Sequence, residues 1–220
     1  MVCGVGNCSA FFENVNDFYR LVWYNVFVVK SNKHEFLTKW KEIHMKRDIA
    51  KEIYKQAHLE GEFLLRSGQF SNEYFDKYLF EANPDLLRKI AKGMCELIPK
   101  DIEVLAGLEM GGIPLVTAIG LDTGIQCAFV RKKAKEYGTC KFAEGAQISG
   151  RNICIVEDVV TTGGQIIKSA NMLREAGAKV DFVLCAIQRN PDATEILEKE
   201  RLTLIPYMTM EYIKEQVGVS

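Results

Sequence analysis

The chain has 220 residues, of which 48% are hydrophobic and 26% are charged, and its formal net charge is -1. This length suits one large α/β domain with a small appendage, and the composition is typical of a packed core and not of a disordered chain. The near-zero charge argues against a general nucleic-acid binder, because such proteins are usually basic.

Residues 1–44 differ from the rest of the chain in being aromatic-rich and weakly periodic. Their most apolar window, 18–29, is shorter than the roughly 20 apolar residues of a membrane span, and Arg20 interrupts it. No basic segment precedes this window, so neither a membrane partner nor a secretory signal is expected. We predict an N-terminal extension of unknown role, and one hypothesis is that Met45 is the natural start of the chain.

The cysteine pattern indicates a reducing compartment. The chain has seven cysteines, which is an odd number, and no two of them have CxxC spacing. Cys154 and Cys185 lie inside apolar runs, where a free thiol behaves as a small hydrophobic side chain. We therefore expect a cytoplasmic protein without a disulfide framework or a zinc site.

The first predicted elements are a helix, a hairpin and a second helix. Apolar residues follow a helical spacing over Met45–His58. Residues 61–76 are typical of two strands joined by a Ser-Gly turn, and Asn83-Pro84 ends that hairpin. Pro84 suits the first turn of the next helix, which Pro99 stops.

Strands and helices then alternate along the chain. Short apolar strands are predicted at 103–106, 126–130, 152–156 and 180–187, with helices at 115–121 and 164–176 and a polar, glycine-containing loop or flap at 131–150. Strands that are apolar throughout are buried on both faces. The sequence therefore predicts an α/β fold with a central, mainly parallel sheet flanked by helices.

The segment Val156–Gly164 (VEDVVTTGG) carries the clearest chemistry. Glu157 and Asp158 come directly after a predicted strand, at the sheet edge where ligands bind in such folds. Two adjacent carboxylates at this edge are costly unless cationic or hydroxylic groups meet them, and ribose hydroxyls with a magnesium ion fit that need. The small residues that follow open a helix whose backbone N–H groups can bind a phosphate. The alternative is a turn with N-capping threonines and solvated acids.

This segment resembles the phosphoribosyl-pyrophosphate (PRPP) binding motif of type I phosphoribosyltransferases. Residues 131–138 (RKKAKEYG) resemble the flexible catalytic loop of the orotate phosphoribosyltransferases, and residues 63–76 resemble the hairpin of their N-terminal hood. The resemblance implies the type I fold over 45–220, with hood elements at about 45–82 and the core at about 83–220. It also implies transfer of ribose 5-phosphate from PRPP to orotate, in pyrimidine biosynthesis.

The resemblance assigns a role to each matching position. Lys135, Glu157 and Asp158 are the expected catalytic residues. Magnesium is expected to arrive with PRPP and to meet Asp158 only indirectly. The expected PRPP-binding residues are Met110, Gly111, Arg131, Lys132, Lys135, Tyr137, Glu157, Asp158, Val159, Val160, Thr161, Thr162, Gly163, Gly164 and Gln165.

The basic loop is expected to stabilise the departing pyrophosphate and to exclude water when it closes. In the family this loop reaches the neighbouring subunit's site, so the resemblance implies a homodimer with shared sites. Two positions depart from relatives: Tyr137 stands where a histidine is common, and Gly111 stands where some relatives have lysine. Each departure removes an expected cation.

For the base, the resemblance points to Arg66, Tyr74, Phe75, Thr161 and Arg189 as orotate-binding residues. Arg66 replaces the usual lysine, and Gln188 replaces the usual acid before Arg189. The alternative for Tyr74 and Phe75 is ordinary hairpin core, and for Arg189 a solvated loop position.

Two other functions stay open on the sequence. One is a type I phosphoribosyltransferase that acts on a purine or another base. The other is a PRPP-sensing regulator that has lost catalysis. The basic loop and the hairpin favour orotate over other bases, and Lys135, Glu157 and Asp158 favour an enzyme over a sensor.

Overall fold

The computed structural model describes residues 33–65, 68–133 and 141–219, and the side chains of the first helix from residue 37 onward. The chain divides into two compact units, Met1–Met45 and Lys46–Ser220. In the first unit the described residues are helical. The second contains every strand of the described chain.

The elements in chain order begin with helix α1 (Lys33–Ala57), strands β1 (His58–Leu64) and β2 (Phe70–Phe75), and helices α2 (Lys77–Glu81) and α3 (Pro84–Cys95). They continue with β3 (Val104–Leu108), α4 (Gly112–Thr123), β4 (Gln126–Val130), β5 (Ala143–Gly145), β6 (Asn152–Val160) and α5 (Gly164–Glu175). The last are β7 (Lys179–Gln188), α6 (Ala193–Glu198), β8 (Thr203–Thr209) and α7 (Met210–Val217).

Within the described residues, the main sheet has six strands in the order β5-β4-β3-β6-β7-β8, and β5 is the only antiparallel one among them. Strands β1 and β2 form a separate antiparallel hairpin. The predicted α/β class and mainly parallel sheet are therefore confirmed. None of the helices in the described ranges is long and apolar enough to cross a membrane.

Both faces of the sheet are covered, as the continuous apolar strands predict. Along β6, Cys154 and Val156 pack into one core with helices α3 and α4, whereas Ile153 and Ile155 pack into another with α5 and α6. Alternate side chains of a strand point to opposite faces, so a strand between two cores must be apolar throughout.

Several predicted boundaries are wrong. Helix α1 begins at Lys33 and not near Met45, and His58 belongs to β1. Helix α4 begins at Gly112, before the predicted 115, and the 131–150 loop contains the short strand β5. The last three elements, α6, β8 and α7, were not predicted from the sequence.

Two further errors affect the site. The hairpin ends at Phe75, and the unpredicted helix α2 follows it before Asn83 caps α3. Strand β6 continues to Val160, so Glu157 and Asp158 lie inside the strand and not after it. Pairing with β7 through Val160 extends β6, and a local apolar pattern does not reveal that pairing.

Candidate active site

The candidate site lies at the carboxyl edge of the parallel strands β3, β6 and β7. The turn after β3 carries Met110 and Gly111, the turn after β6 carries Thr161 and Thr162, and Arg189 follows β7. Parallel strands bring these turns to one edge of the sheet, which is where open α/β folds bind ligands. The chain fold thus gathers the three segments that the sequence assigned to PRPP and orotate.

Asp158 is the buried charge at this edge, with no exposed surface. The ammonium of Lys77 lies 2.9 Å from its Oδ1 and 2.7 Å from its Oδ2, and the Val159 amide donates to Oδ1 at 2.5 Å. Burial alone would lower the pKa of Lys77, but the hydrogen bond and charge of Asp158 raise it above its ordinary value. Lys77 is therefore charged at neutral pH, and it lies at salt-bridge distance from Asp158.

Two more carboxyl groups lie beside this ion pair. Burial, a hydrogen bond with Asp158 and the charge of Asp158 raise the pKa of Glu81 to about 9, against the opposing charge of Lys77. Burial also raises the pKa of Glu157, and the charge of Asp158 raises it further. Both carboxyls therefore favour the protonated form more than an exposed glutamate does.

Glu157 retains an unfilled hydrogen-bonding site. Its Oε2 atom is buried and has no hydrogen-bond partner among the described residues. Unsatisfied buried oxygens are rare in proteins, so such an atom at a sheet edge suits a hydroxyl or a cation brought by a ligand.

The turn after β3 packs directly on Asp158. A Cβ atom at Gly111 would stand 1.5 Å from Asp158 Oδ2 and 2.8 Å from Glu81 Oε1. No side chain fits at Gly111 while Asp158 keeps this position. This explains why the lysine of some relatives is absent here, and Lys77 places a cation on the same carboxylate from another direction.

The turn after β6 offers an open helix terminus. Gly163 is the N-cap of α5 with φ of 73°, a left-handed conformation that glycine adopts without strain. No side chain caps this terminus, so the alternative of N-capping threonines is wrong. Thr161, Thr162 and Gly164 are exposed around it, and Gln165 donates to Ser169 Oγ at 3.2 Å. An uncapped, exposed N-terminus is suited to bind a phosphate.

The basic loop is anchored at its base. Arg131 N donates to Phe142 O at 2.8 Å, which brings the two ends of the loop together. Lys132 N donates to Glu109 Oε1 at 2.6 Å, which ties the loop to the turn after β3. The expected residues Lys135 and Tyr137 lie outside the described residues.

The hairpin places one predicted aromatic in solvent and the other against the core. Tyr74 is exposed, whereas Phe75 is half-buried and packs on the core. The same strand carries Glu73, whose pKa is lowered first by its hydrogen bond with His58 and also by the charge of Arg189. Arg66 lies outside the described residues.

Arg189 is exposed and is held by its backbone, since its N–H donates to Val160 O at 2.8 Å. The preceding Gln188 is buried and turns into the fold, where its amide donates to Asn190 O, Pro191 O and Thr194 Oγ1. An amide at position 188 therefore orders the turn that presents Arg189, without the charge that relatives carry there.

The family model of the phosphoribosyl transferase domain matches residues 79–216. An orotate phosphoribosyltransferase of Nocardioides is 48% identical over 161 residues, which cover 73% of this chain and 90% of the relative. The chain belongs to the orotate phosphoribosyltransferases. These enzymes are type I phosphoribosyltransferases and belong to the pentosyltransferases.

Solved structures agree with this membership. The orotate phosphoribosyltransferase of Mycobacterium tuberculosis in complex with Fe(III) dicitrate superposes with a TM-score of 0.70 at 27% identity, covering 77% of this chain and 98% of that one. The same enzyme in complex with PRPP gives a TM-score of 0.66 over the same shares at 24% identity. The second likeness shows that the fold is shared with a protein solved with PRPP.

The sequence did not reveal Lys77, Glu81 or Glu109, three residues that contact the candidate site. Lys77 and Glu81 are four residues apart, a spacing that places both on one face of a helix. That signal is present in the sequence, but the strand-like pattern of residues 61–76 favours a hairpin that continues to Asn83-Pro84. Glu109 gave no signal, because its contact is with a backbone amide 23 residues away.

Proposed function

We propose that this chain transfers the ribose 5-phosphate of PRPP to orotate, forming orotidine 5'-phosphate and pyrophosphate on the route to UMP. The bond between C1 of the ribose and the pyrophosphate oxygen breaks, a bond forms between C1 and a ring nitrogen of orotate, and the proton of that nitrogen is released to solvent. The observation that carries this proposal is the buried Asp158 beside Glu157, one turn away from the uncapped N-terminus of α5.

In this mechanism the α5 N-terminus and Thr161–Gly164 bind the 5-phosphate, because its charge meets free backbone N–H groups there. Asp158 and Glu157 accept hydrogen bonds from the ribose hydroxyls and fix the sugar. Arg131, Lys132 and Lys135 then stabilise the charge that develops on the pyrophosphate. Arg189, Arg66 and Tyr74 hold the planar anionic base, for which an arginine fork is well shaped.

Magnesium fits this site as an ion brought by the substrate. Among the described residues, no group of three or more His, Cys, Asp or Glu side chains is arranged to hold a metal. One or two carboxylates with substrate phosphates are a common magnesium environment, and Glu157 Oε2 offers an unpartnered oxygen. When bound, the ion supplies positive charge to the pyrophosphate.

We further propose a cytoplasmic homodimer in which the basic loop of one subunit completes the site of its partner. The anchored base of the loop supports this, since it holds Arg131, Lys132 and Phe142 at the edge of the site. Two impaired variants, Lys135→Ala and Asp158→Asn, test it when they are mixed, allowed to exchange subunits and assayed at limiting PRPP. Recovered activity supports a shared site, and none after verified exchange contradicts it.

Residues 1–44 are proposed to lie outside the phosphoribosyltransferase domain, with Met45 as the natural start. The family match from residue 79 onward is compatible with this. Mass spectrometry of the natural N-terminus tests the start, and a peptide that begins before Met45 would contradict it.

The test of the activity is an absorbance assay of orotate consumption with PRPP and Mg²⁺, run beside the same assay with adenine and uracil. We expect consumption of orotate alone, with one pyrophosphate released per orotate. Consumption of another base would favour a different base specificity. Tight PRPP binding without turnover would favour a sensor.

A further inference from the structure

Lys77 lies at the junction between the hairpin and the sheet. It is the first residue of α2, directly after β2, and Asp76 caps that helix by accepting from the Tyr78 amide at 3.1 Å. The amide of Asp76 donates to Ala57 O at 2.8 Å, and Phe80 is fully buried in the core. The backbone that carries Lys77 is therefore fixed on both sides.

The Lys77 side chain reaches from this junction to both oxygens of Asp158, although these residues are 81 positions apart in the chain. Its side chain is 31% exposed, whereas that of Asp158 is 0% exposed. In this ion pair the carboxylate is therefore buried, whereas the lysine is partly exposed at the surface of the site. A buried carboxylate requires such compensation, because removing its partner leaves an uncompensated charge.

Lys77 and Gly111 also restrict the orientation of this carboxylate. The backbone at Gly111 lies against Oδ2, the Val159 amide donates to Oδ1, and Lys77 bridges both oxygens. Glu81 and Glu157 face the same carboxylate and add no positive charge. Within the described residues that contact Asp158, Lys77 is the one cation.

We propose that Lys77 is a positioning residue of the transfer reaction, which acts through Asp158. It orients the carboxylate that receives the ribose hydroxyls, and it ties the start of α2, next to Tyr74 and Phe75, to the ribose end of the site. The hairpin that carries the expected orotate-binding residues is thus held at a fixed distance from Asp158, which receives the ribose. This inference rests on the proposed function of the same site.

A double-mutant cycle on PRPP affinity tests the inference, with binding measured by calorimetry without orotate. Lys77→Met is expected to weaken binding at least about tenfold, and Lys77→Arg, which keeps the charge, to remain within about threefold of the original. In the Asp158→Asn background, Lys77→Met is expected to add less than about threefold, because its target is already altered. In steady-state kinetics, Lys77→Met should raise KM for PRPP more than it lowers kcat.

The matched control is Lys89→Met, since Lys89 pairs with Glu52 at 2.8 Å but on an exposed surface. It is expected to leave PRPP affinity unchanged. Circular dichroism follows the fold, and Lys77→Gln replaces Lys77→Met in the cycle should the latter not fold. An equal loss in both Asp158 backgrounds, or no loss at all, overturns the inference.

The outcomes separate this inference from the proposed function. If the chain consumes orotate but the effects of the Lys77 and Asp158 substitutions on PRPP affinity are additive, the proposed function stands and the inference fails. If the cycle on PRPP affinity is strongly non-additive but the chain consumes no orotate, Lys77 still positions Asp158 for PRPP, and the proposed transfer to orotate fails.

Discussion

The two ends of strand β6 carry the same kind of ion pair in opposite environments. At the amino end, Arg151 pairs with Glu103, and the two side chains are 50% and 38% exposed. At the carboxyl end, Lys77 pairs with Asp158, which has no exposed surface. An exposed pair contributes little to stability, whereas a buried carboxylate is tolerated only with close partners. Burial of the Asp158 carboxylate is unfavourable by itself, and it occurs at the end of the strand where ligands bind.

The largest expected effect concerns the basic loop, which begins after β4 at the carboxyl edge of the sheet. We predict that Lys135→Ala lowers kcat by about 100-fold or more, because a donor to the developing pyrophosphate charge is lost. Lys179→Ala, which removes an exposed lysine from the amino end of β7, is the control and should leave kcat unchanged. Steady-state kinetics measure both, and near-normal turnover of Lys135→Ala would count against the role of the loop.

The next effect concerns Asp158 itself. Asp158→Asn is expected to weaken PRPP binding by about 10- to 100-fold, since hydrogen bonds to a charged group contribute about 1.5–3 kcal/mol. Calorimetry with PRPP and Mg²⁺ measures it. The corresponding change at the amino end, Glu103→Gln, should not alter PRPP affinity. Equal PRPP affinities for the original protein and both variants would contradict a functional difference between the two ends of β6.

A smaller effect follows from Glu81. Its pKa of about 9 in the folded protein lies above its ordinary value of 4.5, so the folded state binds a proton that the unfolded state releases. This contribution to the free energy of unfolding is fully present at a pH below 4.5, and it is lost as the pH rises towards 9. Between pH 6 and 8 the free energy of unfolding should fall by about 1 kcal/mol per pH unit more in the original protein than in Glu81→Gln.

Urea unfolding at three pH values checks the Glu81 prediction. Glu195→Gln serves as its control, because Glu195 and its partner Lys199 have exposed side chains and the pKa of Glu195 is lowered, not raised. Parallel pH profiles for the original protein and Glu81→Gln would show that Glu81 is not held protonated in the fold.

The smallest effect belongs to the amino end. Arg151→Gln removes one partner of the exposed pair with Glu103, and we expect no resolvable change in Tm or in kcat/KM. Thermal unfolding and steady-state kinetics check this. A large loss of activity would mean that the amino end of β6 is also part of the site.

The sequence predicted those features that depend on local patterns. The β4 bounds, the coverage of both sheet faces and the turn at Thr161–Gly164 follow from apolar runs and from small residues. The family comes from motifs that lie in single short segments. For the same reason, the mainly parallel sheet was predictable from alternating elements alone.

The missed features depend on contacts between distant segments. The extension of β6 to Val160 requires pairing with β7, and the ion pair of Lys77 with Asp158 joins residues 81 positions apart. The exclusion of a side chain at Gly111 likewise depends on where Asp158 lies. A single sequence carries no local signal for such contacts, so the acidic cluster could be located but its partners could not.

The most direct measurement is the initial rate of orotate consumption with PRPP and Mg²⁺ for the original protein, Asp158→Asn and Glu103→Gln. A phosphoribosyltransferase site at the carboxyl end predicts full activity for the original protein and Glu103→Gln, and a loss of about tenfold or more for Asp158→Asn at limiting PRPP. No orotate consumption by the original protein, or equal rates for all three, would contradict it.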